Sequence, residues 1–239
     1  MSEAPTLPRR FYKQVIVAEG EVGAQVVKLD DRTLRTPGGL VFVAPTRALA
    51  QLCAEEWAAQ GEHIVPASMP ITQLAFAALD STAKRREELC SYVASFGATD
   101  LCCHRAEAPA DLVERQALAW DLLVDWGRTA LGVSLPVVNG VIAADVSGET
   151  LARLRAHAAA LDDFRLTALA QTAGLAGSVL IAFALFRRRI GPEEAFAAAA
   201  LDNLWSLERW GEDEEARTRL DRQRAEFMAL GRFIEALEA

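Results

Sequence analysis

The stretch FYKQVIVAEGEVGAQVVKLDDRTLRTPGGLVFVAP, residues 11–45, decides the fold class, because nothing of its kind recurs later in the chain. Val15-Ile16-Val17, Val26-Val27 with Leu29, and Leu40-Val41-Phe42-Val43 are β-branched or apolar runs, and Gly20, Gly23, Asp30-Asp31 and Pro37-Gly38-Gly39 separate them. Apolar runs punctuated by turn residues predict short antiparallel strands. Pro45-Thr46 then offers a helix start with Thr46 as N-cap, and Leu49, Cys53 and Trp57 recur at helical spacing until Gln60-Gly61 stops the run.

Working outward, the rest of the chain reads as helices. The pattern predicts them over Pro70 to Asp80, Lys84 to Phe96, and from Pro109 through Leu112, Leu118, Leu122 and Trp126 to the glycines at 127 and 132. Residues 135–150 read as a loop or short extended piece. Further helices are expected over Glu149 to Leu161, Asp163 to Thr172, Ala176 to Arg188, Pro192 to Trp210 and Glu212 to Leu237. Strands and helices are thus segregated rather than alternating, which predicts an α+β protein. A small β-rich N-terminal domain with one helix is expected over residues 10–66, and a larger all-helical C-terminal domain over residues 67–239.

Leu166 to Phe186 carries no charged residue and is flanked by Arg165 and Arg187-Arg188-Arg189, long enough to span a bilayer. Thr167, Gln171, Thr172, Gly174, Gly177 and Ser178 dilute its first half, so the segment reads as buried helix and the small residues as points of close helix approach.

With 25 Lys plus Arg against 33 Asp plus Glu, the net charge of −8 argues against a nucleic-acid groove, which needs concentrated positive charge. Four cysteines in 239 residues, two of them adjacent, are a weak disulfide framework and point to a reducing compartment. The start has no apolar run of the kind an export signal needs. Cys102-Cys103-His104 is the first candidate for chemistry, yet adjacent ligands share one tetrahedral ion poorly and no second pair stands at metal-ligand spacing. A Cys/His nucleophile is not expected either, because adjacent side chains often diverge and no orienting third group is identifiable. Gly174-Leu175-Ala176-Gly177-Ser178 lacks the lysine and preceding strand of a phosphate loop. No catalytic, metal or cofactor site is expected.

The densest local signal is Leu201-Asp202-Asn203-Leu204-Trp205-Ser206-Leu207-Glu208-Arg209-Trp210-Gly211-Glu212-Asp213-Glu214-Glu215. Trp210-Gly211 suggests a helix end with Gly in the left-handed C′ position and Trp210 packed under the turn, and the acidic run suits the start of the next helix. The functional reading is a protein-binding edge, since Trp is enriched among interface anchors. Trp120 and Trp126 read as core.

An ordered set of short motifs adds to this. Arg10-Phe11-Tyr12-Lys13, Leu29-Asp30, Leu34-Arg35-Thr36-Pro37, Pro45-Thr46 with Leu49-Ala50, Glu56-Trp57 with Gln60, Ile64, Met69-Pro70 with Asp80, Thr99-Asp100-Leu101 through Arg105-Ala106, Gln116, Trp120-Asp121, Trp126, Gly177-Ser178 and Trp210-Gly211-Glu212-Asp213 follow one another along nearly the whole chain. The sequence in this respect resembles the F-type ATP synthase assembly chaperones that bind the alpha subunit of the catalytic head, the ATP-twelve family. The resemblance implies a two-domain, non-enzymatic monomer that needs no cofactor. It would hold the unassembled alpha subunit and mask its subunit interface until the beta subunit replaces it. Partner-binding residues are then expected at Asp202, Asn203, Trp205, Glu208, Trp210, Glu212 and Asp213. The family usually shows an acidic residue at the position of Asn203, a Gln at Ser206, a Pro at Leu122 and a Tyr at His104. Only three of the basic residues are Lys, which with abundant Ala suggests a bacterial source, and the cysteine usage and the start of the chain suggest a cytoplasmic setting; the resemblance implies that the family's eukaryotic members are mitochondrial. Two competing readings are a small-molecule enzyme with a pocket between the domains and a membrane-associated factor anchored by residues 166–186.

Overall fold

The computed structural model describes residues 7–20, 23–140, 144–211 and 213–239. The chain is α+β, and its contacts divide it into two compact units, residues 1–84 with 232–239, and residues 85–231. The compositional boundary at 66/67 falls inside the first unit, because the helix over Pro70–Asp80 packs with the elements before it.

In the first unit β1 (Val15–Glu19), β2 (Gln25–Leu29) and β3 (Arg32–Thr33) form an antiparallel sheet in the order of the sequence, with Val17 opposite Val27. Asp30 makes the β2–β3 turn at φ 52, and its carboxylate accepts the Gln14 N–H at 2.8 Å. The strand expected at Leu40-Val43 does not form. A tight loop closes from Thr36 to Leu40, and the chain beyond it meets its neighbours only at Arg35–Val41 and Gln25–Ala44. That loop is held from outside, since Asp80 accepts from Thr36 Oγ1 at 2.7 Å and from the Gly38 N–H at 2.8 Å.

Helix α1 (Arg47–Ala58) starts where expected, with Thr46 Oγ1 accepting from the Leu49 N–H. Its Leu49, Cys53 and Trp57 are buried with Phe42, and burial of a large apolar side chain is worth about 1.5–3 kcal/mol each. Helix α2 (Pro70–Asp80) has no side-chain cap of its own. Glu56 of α1 supplies one, accepting the Ile71 and Thr72 N–H groups at 2.9 and 2.7 Å where the helix dipole favours negative charge. Burial nevertheless raises the Glu56 pKa, outweighing these hydrogen bonds.

The second unit is helical: α3 (Arg86–Ser95), α4 (Ala110–Trp126), α5 (Gly148–Ala159), α6 (Asp163–Ala176), α7 (Val179–Phe186), α8 (Pro192–Ala199), α9 (Leu201–Trp210) and most of α10 (Glu214–Leu237), with one short parallel pairing of β4 (His104–Arg105) and β5 (Val138–Asn139). The uncharged 166–186 segment is two helices. Gly177 takes φ +63 and ends α6, after which Ser178 Oγ accepts from the Ile181 N–H and starts α7. Val179 to Leu185 are buried without a break, so α7 is core. No helix among the described residues is long and apolar enough to cross a membrane. Gly174 does permit a close approach, since a Cβ there would lie 2.6 Å from the Tyr92 hydroxyl of α3. Asp100 is buried at the joint, accepting from Ser178 Oγ at 2.7 Å, Cys102 N at 3.0 Å and Leu180 N at 3.1 Å. The single helix expected over Pro192 to Trp210 breaks at Ala200 into α8 and α9. Trp120 is fully buried, donating to the Ala198 carbonyl at 2.9 Å, whereas Trp126, expected in the core, is only half-buried.

Candidate functional site

Helix α9 lies against α4, and polar side chains join them. Gln116 Nε2 donates to Asp202 Oδ1 at 2.8 Å, Trp205 Nε1 donates to Asp111 Oδ2 at 2.9 Å, and Arg115 Nη1 bonds Glu208 Oε2 at 2.6 Å. Arg209 stands 3.8 Å from the same Asp111 carboxylate and places its guanidinium 5.7 Å from the Trp205 ring centroid. The Trp205 N–H is the main reason the Asp111 pKa falls below the usual carboxylate range. Gln116 is buried on α4, and its Oε1 accepts from the Ala106 N–H at 2.8 Å, so it arrives at Asp202 already oriented.

The residues expected at a binding edge therefore divide. Asp202, Trp205 and Glu208 engage α4, and Trp205 is only 8% exposed. Asp213 caps α10, accepting from the Glu215 N–H at 3.0 Å. Asn203 and Trp210 face outward. Glu212 lies outside the described residues. Trp210 is not packed under a turn but 78% exposed. Gly211 has the positive φ expected of it, 94°, but ψ 168 rather than a left-handed helical value, and among the described residues none covers the indole.

On the side of α9 away from α4, Leu204 and Leu207 open into a groove of about 660 Å³ between α8, α9 and α10. Phe196 and Leu220 lie among its lining residues, and Glu193, Glu194, Glu208, Asp221, Arg217 and Arg224 supply its charges. A second groove of about 390 Å³ lies across α8, lined by Leu118, Leu122, Leu123, Ile190 and Leu201. Ala197 and Glu194 line both. Leu118 and Leu122 are 72% and 65% exposed, a large apolar surface one turn apart. The helical pattern expected of this segment grouped Leu118 and Leu122 with Leu112 and Trp126, but the structure buries Leu112 and turns this pair outward, and the groove leucines carried no signal of their own. For Leu118 and Leu122 a signal existed: Leu112, Gln116, Trp120 and Val124 form the buried stripe of α4, and residues two places off it lie on the opposite face.

The Cys102-Cys103-His104 run forms a single turn and the start of β4. Both thiols are free and buried, and burial is the main cause pushing the Cys103 pKa up to about 12, far from the thiolate a nucleophile or ligand needs. No group of three or more His, Cys, Asp or Glu side chains among the described residues gathers as a metal site would require.

The ATP12 chaperone protein family matches residues 9–128, half of the sequence. The chain belongs to the ATP12 chaperone family. As an ATP12 protein it is a chaperone of ATP synthase assembly. It is similar to the mitochondrial protein atp12 of Schizosaccharomyces pombe, 28% identical over 222 residues that cover 87% of this chain and 75% of the relative. Among solved structures, Atp12 from Paracoccus denitrificans is 39% identical with a TM-score of 0.90, covering 96% of this chain and 98% of that one. An aspartate-to-lysine mutant of the same Paracoccus protein matches equally well. The Atu1473 protein of Agrobacterium tumefaciens is 38% identical with a TM-score of 0.90 over 97% of this chain and 87% of that one. These full-length likenesses extend to α8, α9 and α10, which lie beyond the segment matched by the family.

Proposed function

We propose that this ATP12 chaperone binds the unassembled alpha subunit of the ATP synthase catalytic head and masks its subunit interface until the beta subunit takes its place. The observation that carries the reading is the outward edge of α9, where Trp210 stands 78% exposed and Leu204 and Leu207 open into the adjoining groove, on a chain of this family. An exposed aromatic beside a partly apolar trough is the composition of an interface anchor, not of a monomer's ordinary surface. In this reading Asn203, Trp210 and Asp213 touch the client, with Asn203 and Trp210 supported by their exposure, while Asp202, Trp205 and Glu208 hold α9 against α4. The protein works as a stoichiometric monomer in the bacterial cytoplasm, a setting favoured by its likeness to bacterial proteins.

Affinity isolation from native cells under low-salt lysis tests the reading, and the alpha subunit is the expected captive. Its absence would refute the proposal. Light scattering of refolding alpha subunit adds a second check, because masking predicts protection that saturates near equimolar chaperone and does not depend on ATP.

A further inference from the structure

The groove between α8, α9 and α10 carries more information than a contact surface alone. Its walls are all helices, whose backbone N–H and C=O groups away from the end turns are spent internally, so it presents no open row of donors and acceptors of the kind a strand edge offers. An extended client segment laid there would have its own peptide groups covered without partners, at a cost of about 1–3 kcal/mol for each buried one. A helix brings its backbone already satisfied. The lining includes Phe196, Leu204, Leu207 and Leu220 around the small Ala197, and the volume of about 660 Å³ falls in the ~300–1,000 Å³ range of sites that engulf apolar groups. Four carboxylates and two guanidiniums line it; Arg224 is held by Glu193 through Nε at 2.9 Å and Glu208 bonds Arg115 of α4, which leaves Glu194 and Asp221 beside Arg217. The balance is acidic, as is the whole chain at −8. It favours a segment with positive charge beside its apolar face.

We infer that this groove holds one amphipathic α-helix of the alpha subunit, apolar side chains down at helical spacing and lysines or arginines toward the rim. The inference rests on the alpha-subunit reading above and adds the conformation, the charge and the place of the bound segment. Anchors at i, i+3, i+4 and i+7 are the form such recognition takes.

Ala197 offers a test that leaves the fold alone, because it is exposed, sits on α8 and lines the groove. It also lines the second groove, so Leu122→Ser, which alters that one alone, is measured beside it and is expected to bind like the parent. Weaker binding by Leu122→Ser would overturn the inference. Ala197→Trp fills the trough with an indole. In a titration with isolated alpha subunit it is expected to lower affinity about tenfold or more, with an unchanged thermal melt. In parallel, the full-length chain carrying a photoreactive benzoylphenylalanine in place of Ala197 is irradiated with alpha subunit and the cross-linked peptide identified. A peptide that reads as an amphipathic, basic helix supports the inference. A cross-link to an acidic or strand-forming peptide, a cross-link to a second copy of the chaperone, or parental affinity in Ala197→Trp overturns it while the alpha-subunit reading stands. Failure of the parent chain to bind alpha subunit overturns that reading and the inference with it. Raising salt from 50 to 500 mM should weaken binding by the parent, and an affinity indifferent to salt would overturn the basic character assigned to the segment.

Discussion

Trp205 and Trp210 lie five residues apart on one helix, and truncating each to alanine should have opposite consequences. Trp205 is 8% exposed and donates its indole N–H to Asp111 at 2.9 Å. Removing a buried aromatic costs about 3–5 kcal/mol, from lost transfer energy and the cavity left between α4 and α9. The lost hydrogen bond costs about 1 kcal/mol more, partly offset because Asp111 stays near Arg209. Trp210 is 78% exposed, and an exposed truncation should stay within about 0.5 kcal/mol. Urea unfolding followed by far-UV circular dichroism avoids reading the tryptophans themselves. With a slope near 3 kcal/mol/M, Trp205→Ala should lower the midpoint by more than about 1 M and Trp210→Ala by under about 0.2 M. In the alpha-subunit titration the order reverses in meaning: Trp210→Ala, fully folded, should bind more weakly, whereas weaker binding by Trp205→Ala would follow from a loosened helix. A Trp210→Ala variant destabilised by more than about 1.5 kcal/mol, or a Trp205→Ala variant by less than about 1 kcal/mol, would refute the assignment of these two faces.

Three further outcomes are expected. Desolvation is the main cause raising the Asp100 pKa, so the folded state keeps this proton to higher pH than the unfolded chain. Its stabilising contribution is complete below the ordinary Asp value near ~4 and fades as pH rises through the folded value, so the urea midpoint of the parent relative to Asp100→Asn should decline across that window; a flat difference would contradict the buried titration. Glu56→Ala frees the Ile71 and Thr72 amides and should cost about 1–2 kcal/mol, with faster hydrogen exchange at those two amides, and unaltered exchange would disprove the cap. Gly231→Ala should destabilise despite alanine's better helix propensity, because its Cβ would fall 2.8 Å from the Pro192 ring, which cannot rotate away; a higher melting temperature would show that α10 can move aside.

How much of this was legible in the sequence follows from where the signals are written. Helix starts with their own chemistry stood out: Thr46 before α1, Pro70 at α2 and Pro192 at α8 all fall where the chain begins to coil. The break at Ala200 did not, because alanine is the residue least associated with a stop and the interruption comes from packing. The third strand was misplaced for a related reason: Leu40-Val43 has strand composition, but the loop ahead of it is fastened to Asp80, forty residues on, and the ladder closes at Arg32–Thr33 instead.

The proposed binding edge is legible in the sequence as a segment and illegible as a surface. At about 100° per residue, two tryptophans five places apart point some 140° away from each other, so at most one of them can meet the same neighbour. Which one it is depends on α4, whose Gln116 reaches Asp202 across 86 residues of sequence, a pairing that no local pattern encodes. The groove is harder still. Leu204 and Leu207 carry the same apolar signature as Leu220, yet the first two remain half-exposed on the groove wall while Leu220 is buried. That difference belongs to the spacing of three helices around a small Ala197, and a single chain of letters presents all three leucines alike. The exposed pair on α4 is the instructive exception, since Leu118 and Leu122 lie off the stripe set by Trp120 and Val124. Apolar residues on the wrong side of an otherwise amphipathic helix are where a one-dimensional reading has the most to say about partners.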